Sequence, residues 1–102
     1  MIRVTADCLF CKIVAGEIPA DVVLSTDTTL AFRDVNPKAP THVLVVTKEH
    51  YPDAAALAAA DPALAGEVLR TAAAVAEGDG VVESGYRLVF NTGAGAGQSV
   101  FH

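Results

Sequence analysis

At 102 residues the chain has room for one core and not two, since single domains usually occupy roughly 100–150 residues. A net charge of −5 with no basic stripe excludes a surface that tracks a nucleic-acid polymer, because such binding needs clustered Lys and Arg. No apolar run approaches the roughly 20 residues that span a bilayer, so no membrane role is expected, and residues 1–7 lack the apolar stretch of a secretion signal, so the expected compartment is the cytoplasm.

Phe10, Ile13 and Val14 recur at helical spacing until Gly16 and Pro19 stop the segment, which predicts a helix of one or two turns. Residues 22–25 read as a short strand and 28–35 as a second, with Thr26 and Asp27 turning between them as a hairpin. Residues 36–40 break the pattern. The β-branched run 42–47, bounded by Lys48 and Glu49, is expected to be the central strand. Asp61 before Pro62 is a helix start, and Leu64, Val68, Ala72, Val75 and Ala76 then share one face up to Gly78, a fitting terminator. This is the one long helix. A turn-rich stretch at 80–85 leads to a strand at 86–91, a glycine loop at 93–97 and a last strand at 99–102.

The fold class is therefore α+β, a single domain over 1–102 with one long helix packed on an antiparallel sheet and a short N-terminal helix. Phe32, Phe90 and Phe101 are expected in the core. The hydrophobic fraction of 52% is high for so short a chain, with alanine runs at 54–60 and 72–76 supplying much of it. A small domain buries a small share of its surface, so this excess predicts a homodimer. An ending in mid-strand leads us to expect that the chain has been trimmed after His102.

Four groups of residues invite chemistry. Cys8 and Cys11 have the spacing of a tetrahedral zinc site, which His50 and His102 could complete; a redox pair and two inert thiols are the alternatives. His42, in an apolar run, reads by itself more readily as a core histidine with one satisfied ring nitrogen than as a catalyst. Asp34 suits the turn before Pro37. The loop 93–97 reads as a plain β-connection, except that Asn91, Gln98 and Ser99 flank it with groups able to donate to phosphate oxygens.

Taken together, CLFCKI at 8–13, FRDVNP at 32–37, APTHVLV at 39–45 and NTGAGAGQSVFH at 91–102 resemble the histidine triad (HIT) family in order and spacing, and its Hint-like nucleotide phosphoramidase branch in particular. That resemblance implies a purine nucleoside monophosphate or its conjugates as ligand, and attack on the α-phosphate by a histidine through a covalent nucleotidyl intermediate. It implies that Asp34 accepts from the ribose hydroxyls, that Phe10 and Val35 touch the sugar or base, and that Asn91, Gly97, Gln98 and Ser99 surround the phosphate. His42 then belongs to the hydrogen-bond network behind the nucleophile, and both it and His102 count among the catalytic residues. His102 matches the opening histidine of the signature, with the nucleophile and its follower two and four residues later, so the chain ending at His102 is expected to be inactive. Some bacterial relatives carry the Cys8, Cys11, His50, His102 set, which implies a structural zinc. Two other readings stay open: a non-catalytic nucleotide-binding or zinc-stabilised interaction module, and a dinucleoside polyphosphate hydrolase.

Overall fold

Side chains alternate across a strand, so Leu30 and Phe32 face one side of the segment Thr29–Arg33 while Thr29 and Ala31 face the other. All four are buried, so this strand is covered on both faces. The computed structural model describes residues 8–100 and 102. Residues 1–7, read above for a secretion signal, and Phe101, expected in the core, lie outside the described residues.

Three antiparallel strands, β1 (Val22–Ser25), β2 (Thr29–Arg33) and β3 (Val43–Thr47), form a sheet in the order β1-β2-β3. Pairing of Leu30 with Val46 and of Phe32 with Leu44 puts these four on one face, where α1 (Leu9–Val14) lays Phe10, Ile13 and Val14 against them. Ala31 pairs with Val45 on the opposite face. Val45 packs there with Tyr51, with Leu57 from α2 (Ala54–Ala60), and with Leu64 and Val68 from α3 (Pro62–Gly78). Thr29 and Thr71 are both buried on this side, and each hydroxyl is satisfied by the other at 2.7 Å.

Local chemistry explains the helix ends. Gly16 takes φ +80° just past α1, a conformation that costs a residue without Cβ nothing. The Asp61 carboxylate accepts from the Leu64 N–H at 3.1 Å and Pro62 opens α3 without a missing donor. Gly78 is the last residue of α3, and the left-handed turn is taken two residues on by Gly80, at φ +70°. Among the described residues no helix is long and apolar enough to cross a membrane.

The α+β class stands, but several expectations are corrected. β2 is the central strand and β3 lies at the sheet edge, because β1 and β3 add to opposite sides of β2. The strand read as 28–35 is regular over Thr29–Arg33, with one further hydrogen bond past each end, from the Lys48 N–H to the Thr28 carbonyl and from the Asp34 N–H to the His42 carbonyl. Helix α2 was not anticipated: the alanine run that inflates the composition is also the best helix-forming sequence available, and Asp53 caps it by accepting from the Ala56 N–H at 2.8 Å. The sheet carries helices on both faces, where one was expected.

Residues 86–91 have the alternation of a strand and no sheet pairing; a groove of about 580 Å³ separates them from β3, and Phe90, expected in the core, is 54% exposed. Alternation sets which face is apolar, but a ladder also needs a neighbouring backbone within hydrogen-bond reach. Residues 99, 100 and 102 likewise form no strand; His102 is held by its side chain instead.

Candidate functional site

Cys8 caps α1 and Cys11 lies one turn further, so the short helix presents both sulfur atoms on the same side. Both residues are buried and form no disulfide. His50, just past β3, and His102 bring their rings into the same corner, and one ligand atom from each of the four residues lies within 4.8 Å of every other. The Nδ1 atom of His102 is 3.1 Å from Cys8 Sγ, 3.5 Å from Cys11 Sγ and 3.3 Å from His50 Nδ1, and His50 Nδ1 is 3.3 Å from Cys11 Sγ.

A tetrahedral zinc with ordinary bond lengths would separate its sulfur and nitrogen ligands by about 3.5 Å and its two nitrogens by about 3.3 Å. The donor set therefore fits the ion. His102 Nε2 also lies 2.7 Å from the Thr47 carbonyl, and that hydrogen bond needs a proton on Nε2, leaving the Nδ1 lone pair for the corner. Burial pushes the His102 pKa below the usual histidine value; the Thr47 hydrogen bond opposes this and the charge of His50 adds to it. The ring is a neutral donor near pH 7. Thr47 escaped the sequence reading because a backbone carbonyl leaves no signature in residue type.

Asp34 and His42 meet at the other end of the sheet edge. The Asp34 N–H donates to the His42 carbonyl at 3.0 Å, continuing the β2–β3 ladder beyond the paired Arg33 and Val43. Their side chains follow, with His42 Nε2 3.4 Å from Asp34 Oδ2. The Asn36 N–H donates to Asp34 Oδ1 at 2.8 Å and the Lys38 N–H to His42 Nδ1 at 2.9 Å, so two side chains close the intervening loop. Val35, at its apex, is 91% exposed.

His42 and Asn91 line the 580 Å³ groove beside β3. A smaller space of about 190 Å³ shares Asn91 with it and is bounded by Phe10, Gln98 and His102. Phe10 is half-buried there, edge-on to both Phe32 at 5.6 Å and His102 at 5.9 Å between ring centroids. The glycine loop contains a short 3-10 turn at Ala94–Ala96, and Gly97 follows at φ +95°. Gln98 clamps it: its Oε1 accepts from the Gly93 N–H at 2.7 Å, and its Nε2 donates to the carbonyls of Pro52 at 2.5 Å and Val100 at 3.2 Å. Ser99 is exposed at the exit of the loop.

The structure thus brings together the four thiol and imidazole groups, pairs Asp34 with His42, and sets Asn91 along the groove between them. Known proteins resemble this chain along most of its length. A family profile described as HIT domain matches residues 15–102. An uncharacterized HIT-like protein of Synechococcus elongatus is 47% identical over 96 residues, covering 94% of this chain and 83% of the relative. The purine nucleoside phosphoramidase of Escherichia coli K12 is 40% identical over 94 residues, 92% of this chain and 79% of the relative. Among solved structures, a HIT family hydrolase from Legionella pneumophila Philadelphia 1 superposes with a TM-score of 0.90 at 47% identity, covering 94% of this chain and 86% of that chain.

Proposed function

Because this chain belongs to the HIT family, we propose that it binds a purine nucleoside monophosphate or its conjugates along the outer edge of β3 and hydrolyses a phosphoramidate or related bond at the α-phosphate. The observation that carries the reading is His42, which lines one end of a groove that continues past Asn91 toward Phe10 and His102, and which has the Asp34 carboxylate beside it. Asp34 accepts from the ribose, Phe10 and Val35 pack on the sugar or base, and Asn91, Ser99 and the backbone at Gly97 surround the phosphate. Gln98 spends both amide hydrogens on protein carbonyls in this conformation, so it shapes the loop.

The chemistry divides one displacement into two. A histidine imidazole forms a bond to phosphorus while the P–N bond breaks and the leaving amine takes a proton; water then cleaves the nucleotidyl-histidine, releasing the monophosphate and restoring the ring. The family's nucleophile stands two residues after its opening histidine, which here is His102. Both ring nitrogens of His102 are already engaged, so it positions that segment and does not attack.

Cys8, Cys11, His50 and His102 hold a zinc ion in this reading. With four protein ligands, such an ion would serve as a structural cross-link between α1, the end of β3 and the segment at His102. The protein works as a cytoplasmic homodimer, and the exposed Leu69 and Val82 supply apolar surface for a second copy to cover.

AMP release from an adenosine phosphoramidate, followed by chromatography with a chain extended past His102, tests the reading. Turnover is expected. A folded, extended protein that binds AMP and releases none from the phosphoramidate would be a nucleotide-binding module, and faster hydrolysis of a dinucleoside polyphosphate would reassign the substrate class.

A further inference from the structure

The contacts of His42 determine where its proton sits. A backbone N–H can only donate, so the Lys38 N–H, 2.9 Å from Nδ1, requires a lone pair there and leaves the proton of the neutral ring on Nε2. Nε2 lies 3.4 Å from Asp34 Oδ2, within ion-pair distance and longer than a formed hydrogen bond. Contacts of this kind are often long without ligand and tighten when it arrives.

Asp34 then has a neighbour at each oxygen: Oδ1 accepts from the Asn36 N–H at 2.8 Å, and Oδ2 faces the imidazole Nε2 at 3.4 Å. A carboxylate offers about four acceptor sites, so roughly one lone pair per oxygen remains, directed by two fixed neighbours. Two adjacent acceptors on a carboxylate flanked at both oxygens suit the two neighbouring hydroxyls of a ribose. A 2′-deoxyribose would leave one of them without a donor, which is how a site rejects an analogue lacking a hydroxyl.

We propose that His42 is a positioning residue that fixes the Asp34 carboxylate and thereby makes the site prefer ribonucleotides to 2′-deoxyribonucleotides. The inference rests on the nucleotide-binding reading above. It assigns His42 no proton transfer, since neither ring nitrogen is left for the substrate in this arrangement.

The test compares the extended wild type with His42→Ala and His42→Gln on an adenosine phosphoramidate and its 2′-deoxy counterpart. Wild type should favour the ribonucleotide by about 10- to 100-fold in kcat/KM, the range for a hydrogen bond to a charged group. In His42→Ala the preference should fall below about threefold, through a raised KM for the ribonucleotide. Glutamine supplies one acceptor for Lys38 and one donor for Asp34, so His42→Gln should recover most of the preference. An unchanged preference in His42→Ala overturns the inference, as does equal loss of kcat on both substrates with no rescue by glutamine. Dissociation constants for AMP and 2′-deoxy-AMP on the same three proteins, by calorimetry, report the preference independently of turnover. A wild type that binds with the preference and does not turn over therefore sinks the enzymatic reading alone.

Discussion

Each end of β3 meets a histidine ring, and the two rings are held by different means. Near Thr47, His102 sits in a buried corner among two thiols and His50, where donors of the same kind crowd within 4.8 Å. Near Val43, His42 is half-exposed and each of its nitrogens has a complementary neighbour, Lys38 on one side and Asp34 on the other. The first corner gathers four groups able to hold a metal ion. The second is already balanced by its own neighbours.

Chelation should separate the two ends most strongly. An ion present at about a thousand times its Kd stabilises the folded state by about 4 kcal/mol, which in a domain of this size lowers the melting temperature on the order of 20 °C when it is removed. Cys11→Ser should reproduce the loss, whereas His42→Ala, at a half-exposed position, should cost about 1 kcal/mol. Calorimetric melting with elemental analysis measures both. A protein that melts identically with and without chelator, and carries less than about half an equivalent of zinc, would show that the corner is held by its own packing.

The same contrast recurs between α2 and residues 86–91. Leu57 is buried against Tyr51, Leu64 and Val68, so Leu57→Ala should cost about 2–5 kcal/mol. Phe90 is 54% exposed, and Phe90→Ala should change stability by no more than about 0.5 kcal/mol in the same urea titration. A cost near 2 kcal/mol at Phe90 in dilute protein would mean that 86–91 is packed in solution, against β3 or a second copy.

These two elements also mark where the sequence was and was not legible. The hairpin and α3 could be read because turn residues, the Asp61 cap and a 3.6-residue stripe each encode a local geometry. α2 was missed because an alanine run has no polar face to give it a period. The edge position of β3 could not be read from its β-branched composition, which is the same for an edge and a centre. In the site, Cys8, Cys11, His50 and His102 were legible by residue type, and the structure brings them together. The contacts of Thr47 and Lys38 were not, because both act through the backbone.

A smaller effect comes from Arg33, which links the end of β2 to the end of α3. Its guanidinium donates to both oxygens of Asp79, at 2.9 and 3.0 Å, and so offsets a carboxylate placed unfavourably at a helix C-terminus. The hydrogen bonds from Arg33 hold the Asp79 pKa below its ordinary value; burial opposes this, while a Thr41 hydrogen bond and the Arg33 charge reinforce it. A carboxylate depressed in the folded state contributes stability above its unfolded pKa and loses it as pH falls through the folded one. The gap between wild type and Arg33→Met in urea midpoint should therefore be constant from about pH 5 to 8 and shrink below about pH 4. A gap as wide at pH 3 as at pH 7 would mean that Arg33 stabilises through the packing of its stem, and that the charge at the end of α3 is met by water.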